Sequence, residues 1–327
     1  MNRASSETIE TRIFFAADLH GSELVLGKLI NAAQFYKVKH IVVGGDLTGK
    51  VLVPIVSDGK GYRLELFGEQ KRIRESELQE TDREIRNNGY YYRVMGAEDY
   101  EAMGGSEEKV RKAFVEEVLA SLGQFLGRAE AKLKPIGATI YLMPGNDDYD
   151  EVADYLKKAQ GGAVVDFDKR IVDIDGYQFL GYGYSNETPW HTPRELGEDI
   201  IYKELKALAG KCDPARSVFV IHTPPSDTKI DRAPRLTKDL KQKVSAGYME
   251  SMPVGSSSVR KIIEEYSPIA SLHGHVHESA GIDYIKSSKG AMVPVLNCGS
   301  DYGSGMLNGI ILDFEGSRLK RYNFTRG

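Results

Sequence analysis

Short apolar runs alternate with amphipathic stretches along much of this chain of 327 residues. Residues 13–17 form an apolar run, residues 22–36 carry apolar side chains at helical spacing, and residues 40–45 form a second apolar run. This order predicts a β-α-β unit with parallel strands. Three later apolar runs have the same character: residues 138–143, 217–221 and 269–272. We therefore predict one α/β domain over residues 1–327.

A β-rich and then highly charged segment interrupts this alternation after the second apolar run. Residues 51–56 and 62–67 predict a hairpin, and the charged residues 69–88 predict a helix. A long amphipathic helix is predicted over residues 107–134. We interpret residues 51–134 as an inserted cap or lid region within the domain.

The second half of the chain predicts further helices and strands. Thr192 and Glu195 form a capping-box pattern with proline at the first helical position, which predicts a helix over residues 192–209. Residues 223–255 show no clear period and predict a long loop. A helix is expected over residues 257–266. Three strand-like runs are predicted near the end of the chain: residues 292–296, 309–313 and 318–322.

Five of the apolar runs are each followed by side chains that can bind a metal ion. In parallel α/β sheets the carboxyl ends of the strands border one crevice, so these side chains are expected to converge. Asp18 and His20 are two positions apart and point the same way in an extended chain, and the second pair of histidines repeats that spacing. The candidate metal ligands are Asp18, His20, Asp46, Asn146, His222, His275 and His277.

The donor atoms of this set favour a particular class of metal. Imidazole nitrogens with carboxylate and amide oxygens, and without thiolate, favour Mn, Fe, Zn, Co or Ni over Ca and disfavour a structural zinc site. Seven side chains exceed the needs of one tetrahedral ion, whereas they suit two ions about 3.5–4 Å apart that share a carboxylate. We therefore predict a site for two divalent transition-metal ions.

Charge and cysteine content narrow the expected partners and location. The formal net charge is −4 and the pI is near 6.0, which disfavours binding to nucleic acid through phosphate neutralisation. The two cysteines, Cys212 and Cys298, form neither a disulfide framework nor a zinc cluster and fit a reducing compartment. Residues 13–17 are too short to span a membrane, and the polar residues 1–12 lack the apolar core of a signal peptide. We expect a cytoplasmic protein without a membrane partner.

The strand-end motifs resemble those of the calcineurin-like metallophosphoesterase superfamily, and they occur in the family's order over residues 13–277. The motifs are Asp18-Leu19-His20, Gly45-Asp46, Gly145-Asn146-Asp147-Asp148, His222 and Gly274-His275-Val276-His277. Four stretches are further similar to the Icc-related branch of predicted phosphoesterases: residues 45–50, 222–225, 272–279 and 297–302. The resemblance implies a sandwich of two mixed β-sheets flanked by helices, with a hairpin-plus-helix insertion.

The resemblance also implies a role for each of these residues. The first metal ion takes Asp18, His20 and His277, the second takes Asn146, His222 and His275, and Asp46 bridges the two. Asn146 and Asp147 are expected to contact the substrate, and Asp46 and Asp147 to act in catalysis. A hydroxide that bridges the metals is the expected nucleophile in the hydrolysis of a phosphate ester, with a phosphodiester favoured.

The sequence departs from the family's pattern at two positions. Asp147 stands where family members place a histidine beside the leaving group, and a carboxyl group with a pKa near 3.9 is a poor proton donor at neutral pH. We therefore expect aryl or otherwise activated phosphodiesters to be favoured. Gly49 stands where the common G-D-x-x-D pattern ends in a carboxylate, so an outer partner of the metal ligands is expected to be missing.

Several alternatives stay open at this point. The chain fits a phosphomonoesterase or protein phosphatase, a binding or scaffolding protein that keeps the fold, and, less well because of its charge, a nuclease. A small phosphorylated, nucleotide-like substrate is the expected partner, and a homo-oligomer stays open. Outside the ligand set, Trp190 and His191 are either rim contacts or ordinary loop residues, His273 is expected to pack at a strand end, and Asn297 to support the crevice.

Overall fold

The computed structural model describes residues 10–237, 243–245 and 248–327. The first nine residues of the polar N-terminal stretch lie outside the described residues. Residues 238–242 and 246–247 of the predicted 223–255 loop also lie outside them. No helix in the described ranges is long and apolar enough to cross a membrane.

The strands are short and follow the apolar runs of the sequence. In chain order they are β1 (Glu10–Ala16), β2 (His40–Val43), β3 (Leu52–Ser57), β4 (Tyr62–Leu66), β5 (Glu69–Ile73), β6 (Tyr91–Gly96), β7 (Thr139–Leu142), β8 (Val164–Asp166), β9 (Arg170–Ile174), β10 (Tyr177–Tyr182), β11 (Ser217–Ile221), β12 (Arg232–Pro234), β13 (Val244–Ser245), β14 (Tyr248–Met249), β15 (Ser251–Pro253), β16 (Ala270–His273), β17 (Gly281–Lys286), β18 (Met292–Asn297), β19 (Asn308–Glu315) and β20 (Arg318–Arg326).

The helices fall where apolar side chains recur at helical spacing. They are α1 (Glu23–Phe35), α2 (Leu78–Asn87), α3 (Ala97–Gly104), α4 (Glu107–Leu133), α5 (Asp150–Ala159), α6 (Glu198–Ala209) and α7 (Ser257–Tyr266). Two of them begin at a serine whose side-chain oxygen accepts a backbone N–H of the first turn. Ser106 caps α4 through Lys109 N, and Ser256 caps α7 through Val259 N.

Two mixed six-stranded sheets form the body of the molecule. The first has the order β20-β19-β1-β2-β7-β8, and the strands from β1 to β8 in this order are parallel. The second has the order β17-β18-β16-β11-β10-β9, with parallel pairs from β18 to β10. Antiparallel strands close both edges of the second sheet, β17 at one and β9 at the other. The predicted sandwich of two mixed sheets is confirmed.

Three hydrophobic clusters hold these layers together. Phe15, Phe179 and Leu272 belong to the cluster between the two sheets. On its outer face the first sheet is covered by α1, α4 and α5, and the outer face of the second is covered by α6 and α7. Because the central strands are buried on both faces, they read as continuous apolar runs rather than as alternating patterns.

The segment after β2 forms a smaller sheet with its own core. Its order is β5-β4-β3-β6, and Ile85 of α2 packs with Val53, Ile55, Leu64 and Leu66. The apolar side chains of the C-terminal half of α4 belong to the cluster on the first sheet. The role of residues 51–134 as a cap stays a prediction.

The predicted helix over residues 69–88 is wrong in its first part. Residues Glu69–Ile73 form β5, which pairs with β4, and the helix begins only at Leu78. Phe67 and Gly68 both have a positive φ, which is the backbone of a type I′ hairpin turn. The dense charge of this stretch therefore belongs to an edge strand, where charged side chains face solvent.

Two further elements differ from the sequence predictions. The predicted helix at 192–209 begins at Glu198, because Glu195 turns its carboxylate back to Thr192 within a loop rather than in a first helical turn. Strand β17 was not predicted, and short strands interrupt the region predicted as a loop. These short strands pair locally, as in β12 with β15, so they carry little periodic signal.

Candidate metal centre

The candidate ligands lie just beyond the carboxyl ends of strands from both sheets. They follow β1 (Asp18 and His20), β2 (Asp46), β7 (Asn146), β11 (His222) and β16 (His275 and His277). The parallel strands run in one direction within each sheet, so these ends meet in one crevice. The structure brings all seven predicted side chains into one cluster, whose contacts follow.

The backbone at four of these positions is strained. Asp18, His20, Asp46 and His275 have φ values of 57°, 44°, 51° and 68°. Non-glycine residues with positive φ are uncommon and cost of order 1–3 kcal/mol each when held in sparsely populated regions. Such strain is typical of functional sites, where it directs the side chains to one point.

The first group of ligand atoms comes from Asp18, His20 and His277. His20 Nε2 lies 3.1 Å from His277 Nε2, and His277 Nε2 lies 3.6 Å from Asp18 Oδ1. The ligand atoms of the three residues all lie within 4.8 Å of one another. The main-chain N–H of His275 donates to both carboxylate oxygens of Asp18 at 3.0 Å, which fixes the direction of that carboxylate.

The second group of ligand atoms comes from Asn146, His222 and His275. The amide oxygen of Asn146 lies 2.8 Å from His222 Nε2 and 2.8 Å from His275 Nδ1. His222 Nδ1 lies 2.8 Å from the carbonyl oxygen of Gly44. A hydrogen bond from Nδ1 to this oxygen directs Nε2 into the cluster and makes its lone pair available to a metal ion.

Asp46 lies between the two groups. Its Oδ2 is 3.6 Å from His20 Nε2, and its Oδ1 is 3.4 Å from His222 Nε2. The main-chain N–H of Asp147 donates to Oδ1 at 3.0 Å. One carboxylate oxygen therefore faces each group, an arrangement in which two ions can share the carboxylate.

The spacing of these atoms fits metal ions. Donors about 2.1 Å from an octahedral ion are about 3.0 Å from one another. The contacts of 2.8–3.1 Å between imidazole nitrogens and amide oxygen match that spacing. Two ring nitrogens that face each other at 3.1 Å, as in His20 and His277, also need either a shared proton or a cation between them.

The charges of the cluster lead to the same conclusion. Burial lowers the pKa of His20 to about 3 and the pKa of His275 to about 4, so both imidazoles are neutral and able to coordinate a metal. Burial also lowers the pKa of His222, but the charges of Asp46 and Asp18 outweigh it and raise that pKa to about 9. A protonated His222 thus compensates two buried carboxylates. Metal ions held by the same residues would supply that positive charge in place of the proton.

Close approach of the main chain explains two of the glycines. A Cβ atom on Gly145 would lie 2.1 Å from Asp46 Oδ1, and one on Gly274 would lie 2.4 Å from Asp18 Oδ2. Distances this short require displacement of the carboxylate. Only glycine lets these loops pass beside the candidate ligands.

Asp148 ties two of the ligand loops together. It is fully buried and accepts hydrogen bonds from the main-chain N–H groups of Leu47, Thr48 and Gly145 at 2.8–2.9 Å. It also accepts the Thr48 hydroxyl at 2.6 Å. The loop that carries Asp46 and the loop that carries Asn146 are therefore tied together.

Asn146 is oriented by a second loop that the sequence analysis treated as the start of a helix. The amide nitrogen of Asn146 donates to Thr192 Oγ1 at 2.8 Å, and Thr192 Oγ1 donates to Glu195 Oε1 at 2.6 Å. This fixes the Asn146 amide so that its oxygen faces the two histidines. Arg194 from the same loop donates to the carbonyl oxygen of Gly145 and pairs with Asp168 at 2.6 Å while fully buried.

Lys50 and Asp147 lie on the open side of the cluster. Lys50 Nζ pairs with Asp147 Oδ2. Burial and the charge of Asp46 raise the pKa of Asp147 to about 7, although Lys50 opposes this. Burial lowers the pKa of Lys50, but Asp147 and Asp46 outweigh it, so the ammonium stays charged.

The inserted segment is joined to the loops that follow β1 and β2. Ser22 Oγ donates to the carbonyl oxygen of Asn87 at 2.7 Å, and the Gly49 N–H donates to Tyr91 Oη at 2.8 Å. A Cβ atom on Gly89 would lie 2.0 Å from the carbonyl oxygen of His20. The inserted segment therefore contacts the backbone beside the first group of ligands directly.

Two other predicted residues support the loop after β16. Asn297 donates to the carbonyl oxygen of Val276 at 2.9 Å and accepts the Gly299 N–H at 2.8 Å. His273 is buried, with Nδ1 2.8 Å from the carbonyl oxygen of Ile221. Both therefore fit a structural role rather than direct ligation.

Sequence reasoning missed four residues at the site: Lys50, Tyr302, Thr192 and Arg194. The Tyr302 ring centroid lies 4.5 Å from that of His20. The strand-end position of Lys50, four residues after Asp46, is the one local signal that points to a place in the crevice. The other three reach the site only through the packing of distant segments.

Comparison with known sequences finds a relative that matches part of this chain. No family model matches the sequence. An uncharacterized protein of Methanocaldococcus jannaschii is 34% identical over 149 residues, which are 45% of this chain and 59% of that protein. The match therefore spans less than two thirds of the relative's length.

Solved structures share the architecture at low sequence identity. One crystal structure aligns with a TM-score of 0.54 at 14% identity, over 97% of this chain and 99% of the other. The calcineurin-like phosphoesterase YfkN of Bacillus subtilis aligns at 13% identity with a TM-score of 0.43, over 98% and 90%. A dimetal phosphatase of Danio rerio aligns at 9% identity with a TM-score of 0.41, over 97% and 99%. This chain therefore shares the overall fold of the first of these structures.

Proposed function

We propose that the protein is a two-metal phosphoesterase that hydrolyses phosphodiesters. The observation that carries this proposal is Asp46, whose two carboxylate oxygens face two separate groups of nitrogen and oxygen donors. The proposed ligands are Asp18, His20 and His277 for one ion and Asn146, His222 and His275 for the other. When bound, the ions lower the pKa of water from about 15.7 towards 7 and stabilise charge on phosphoryl oxygens.

The residues around the ions then have distinct tasks. Asp18 and Asp46 are held by main-chain N–H groups, so they present oxygens in fixed directions. Asn146, which is oriented by Thr192, would hold its ion through the amide oxygen and would contact the phosphate. The Lys50 ammonium is placed to offset negative charge that develops on the phosphoryl and leaving-group oxygens.

The Lys50–Asp147 pair supports the preference for diesters with good leaving groups. A lysine whose pKa is raised by two carboxylates is a weak acid at neutral pH. Cations beside Asp46 would also lower the pKa of Asp147 from the value of about 7 that it has without them. Neither group is then a strong proton donor, so a leaving group that needs no proton is favoured.

We also propose the metal ions, the substrate class and the cellular location. We propose Mn, Fe, Zn, Co or Ni as the ions, because the donors are imidazole, carboxylate and amide. We propose a small, nucleotide-like phosphate ester as the substrate and the cytoplasm as the place of action. Residues 51–134 are proposed to act as a cap, which the contacts of Asn87, Gly89 and Tyr91 with the ligand loops support.

Assays on matched aryl phosphates test this function. Metal-loaded protein is expected to contain two transition-metal ions per chain and to hydrolyse a bis-aryl phosphate faster than the corresponding mono-aryl phosphate. Asp46→Asn is expected to reduce turnover about 10³-fold, since several kcal/mol of charge stabilisation are lost at 1.36 kcal/mol per tenfold. Faster hydrolysis of the mono-aryl phosphate would favour a phosphomonoesterase. Tight binding of two ions without turnover of either compound would favour a binding protein.

A further inference from the structure

A cleft of about 520 Å³ opens beside Lys50 and Asp147, on the accessible side of the ligand cluster. One wall comes from α4 and the start of α5, through Phe114 and Tyr149. The opposite wall comes from the loop that carries Trp190. A cleft of this size, between about 300 and 1,000 Å³, is typical of small-molecule sites.

The charged groups that line the cleft are already paired. Lys50 pairs with Asp147, and Arg111 pairs with Glu151 at 2.6 Å. Asp150 lies 3.3 Å from the Arg194 guanidinium. The walls therefore offer little unpaired charge to a second anionic group of a ligand.

The cleft also presents aromatic surfaces on which a ligand could pack. The Trp190 side chain is 60% exposed and is the single tryptophan of the chain. Across the cleft, the guanidinium of Arg111 lies over the Tyr149 ring, 5.2 Å from its centroid. Tryptophan and stacked arginine are flat surfaces on which planar rings stack.

The loop that carries Trp190 is held in place rather than left to solvent. Trp190 N donates to Thr188 Oγ1 at 3.2 Å, and His191 N donates to the carbonyl oxygen of Thr188 at 3.3 Å. Glu195 accepts hydrogen bonds from both Thr188 and Thr192. His191 has a φ of 50°, so the backbone beside Trp190 is strained as it is at the ligands.

The same loop is connected to the ligand cluster. Thr192 accepts the amide N–H of Asn146, and the main-chain N–H of Arg194 donates to the carbonyl oxygen of Asn146 at 3.1 Å. The backbone that carries Trp190 is therefore tied to a proposed metal ligand. An exposed ring placed in this way differs from an isolated apolar residue on the surface.

We propose that this cleft binds an uncharged planar ring of the substrate, a nucleobase joined through its sugar to the phosphate, and that Trp190 is the stacking surface for it. The inference rests on the proposed function, which places the phosphate at the ligand cluster. Lys50 and Asp147 line the cleft, and the main-chain N–H of Asp147 donates to Asp46 of the ligand cluster, so the pair would lie beside the bond between phosphate and sugar.

Direct binding measurements on the metal-loaded full chain test this inference. Adenosine 5′-monophosphate and ribose 5-phosphate share the phosphate and sugar and differ in the base. Because Trp190 is the single tryptophan, intrinsic fluorescence reports on this cleft. We expect adenosine 5′-monophosphate to quench it and to bind about tenfold more tightly than ribose 5-phosphate, as base–aromatic stacking predicts.

Variants then assign the effect to the ring. By calorimetry, Trp190→Ala is expected to lower the affinity for adenosine 5′-monophosphate about tenfold and to leave that for ribose 5-phosphate unchanged. Trp190→Phe retains a ring and is expected to retain most of the affinity. Phe324→Ala removes an aromatic side chain that is 42% exposed on β20, outside the cleft, and serves as the matched control.

The outcomes separate this inference from the proposed function. Equal affinities for the two phosphates in the wild-type chain would overturn the inference, as would an equal loss for both in Trp190→Ala. If the protein hydrolyses a bis-aryl phosphate but binds the two phosphates with equal affinity, the proposed base-binding cleft is refuted and the proposed function is supported. If the protein binds adenosine 5′-monophosphate more tightly than ribose 5-phosphate but hydrolyses no aryl phosphate, base binding in the cleft is supported and the proposed function is refuted.

Discussion

The two halves of the candidate metal centre are held by their surroundings to different degrees. The first half consists of Asp18, His20 and His277, and the second of Asn146, His222 and His275. The second half is the better anchored of the two. Each nitrogen of His222 has a close oxygen neighbour, and Thr192 fixes the Asn146 amide.

The histidines of the first half have fewer partners. His20 Nδ1 is buried, and within the described part of the chain it has no hydrogen-bond partner. Its ring contacts Tyr302 instead, with ring centroids 4.5 Å apart. The side chain of His277 is 28% exposed, whereas that of His222 is fully buried.

This difference indicates how the two halves divide their tasks. Outer partners orient metal-binding histidines and raise their affinity for the ion, so the second half is expected to hold its ion more tightly. The first half faces the opening and adjoins the inserted segment. It is therefore expected to exchange its ion more readily and to adapt to the substrate.

The largest loss of turnover is expected when a single histidine of either half is replaced by alanine. His222→Ala is expected to lower turnover about 10³-fold, because several kcal/mol of charge stabilisation are lost. His277→Ala is expected to lower it about 10²-fold, because an exposed ligand is replaced more easily by water. Metal analysis during titration with a chelator, together with kcat/KM, measures both.

The chelator titration also tests the comparison in the wild-type chain. Two phases are expected, with the weaker ion lost first and the His277→Ala variant lacking that first phase. Loss of both ions in one phase, or a larger effect of His277→Ala than of His222→Ala, would contradict the division into a tight and an exchangeable half.

Replacement of the outer partner of Asn146 is expected to have an intermediate effect. Thr192→Val removes the oxygen that accepts the Asn146 amide and leaves the shape of the side chain nearly unchanged. The affinity for the second ion is expected to fall about 10- to 100-fold, the usual cost of losing such a partner. Direct metal-binding titration measures this loss.

Thr188→Val provides the matched control for that variant. Thr188 Oγ1 also donates to Glu195, at 2.5 Å, but it does not contact Asn146. It is expected to leave the affinity for the ion unchanged. Equal losses in the two variants would show that loop stability, rather than orientation of Asn146, explains the effect.

Removal of the ring beside His20 is expected to have the smallest effect. An aromatic contact contributes about 0.5–1.5 kcal/mol. Tyr302→Ala is therefore expected to lower the affinity of the first half for its ion roughly fivefold. Tyr302→Phe retains the ring and is expected to behave as the wild-type chain. The ion released first in the chelator titration reports this change, and a shift of the second phase alone would count against it.

The local sequence carried most of the information on the fold. Runs such as His40–Val43 and Thr139–Leu142 are buried in the centre of a sheet, so they read as strands without their neighbours. The charged stretch after residue 68 was assigned wrongly because its turn, at Phe67 and Gly68, depends on positive φ values that the composition of the stretch does not reveal.

The candidate ligands were predictable for a topological reason. Each follows directly after a strand, and parallel strands bring their carboxyl ends to one edge whatever lies between them. Asp18, Asp46 and Asn146 are therefore expected together from strand order alone. Their identity as ligands stays a prediction that metal analysis decides.

What the sequence alone determined is the set of residues at the strand ends, because that set depends on short-range patterns and on the direction of the strands. Only the tertiary structure decided what surrounds them. Thr192 is 46 positions from Asn146, and Asp148 reaches the Thr48 backbone from 100 positions away. No periodicity joins such segments, since hydrogen bonds between loops arise from how the two sheets and their connections pack in space.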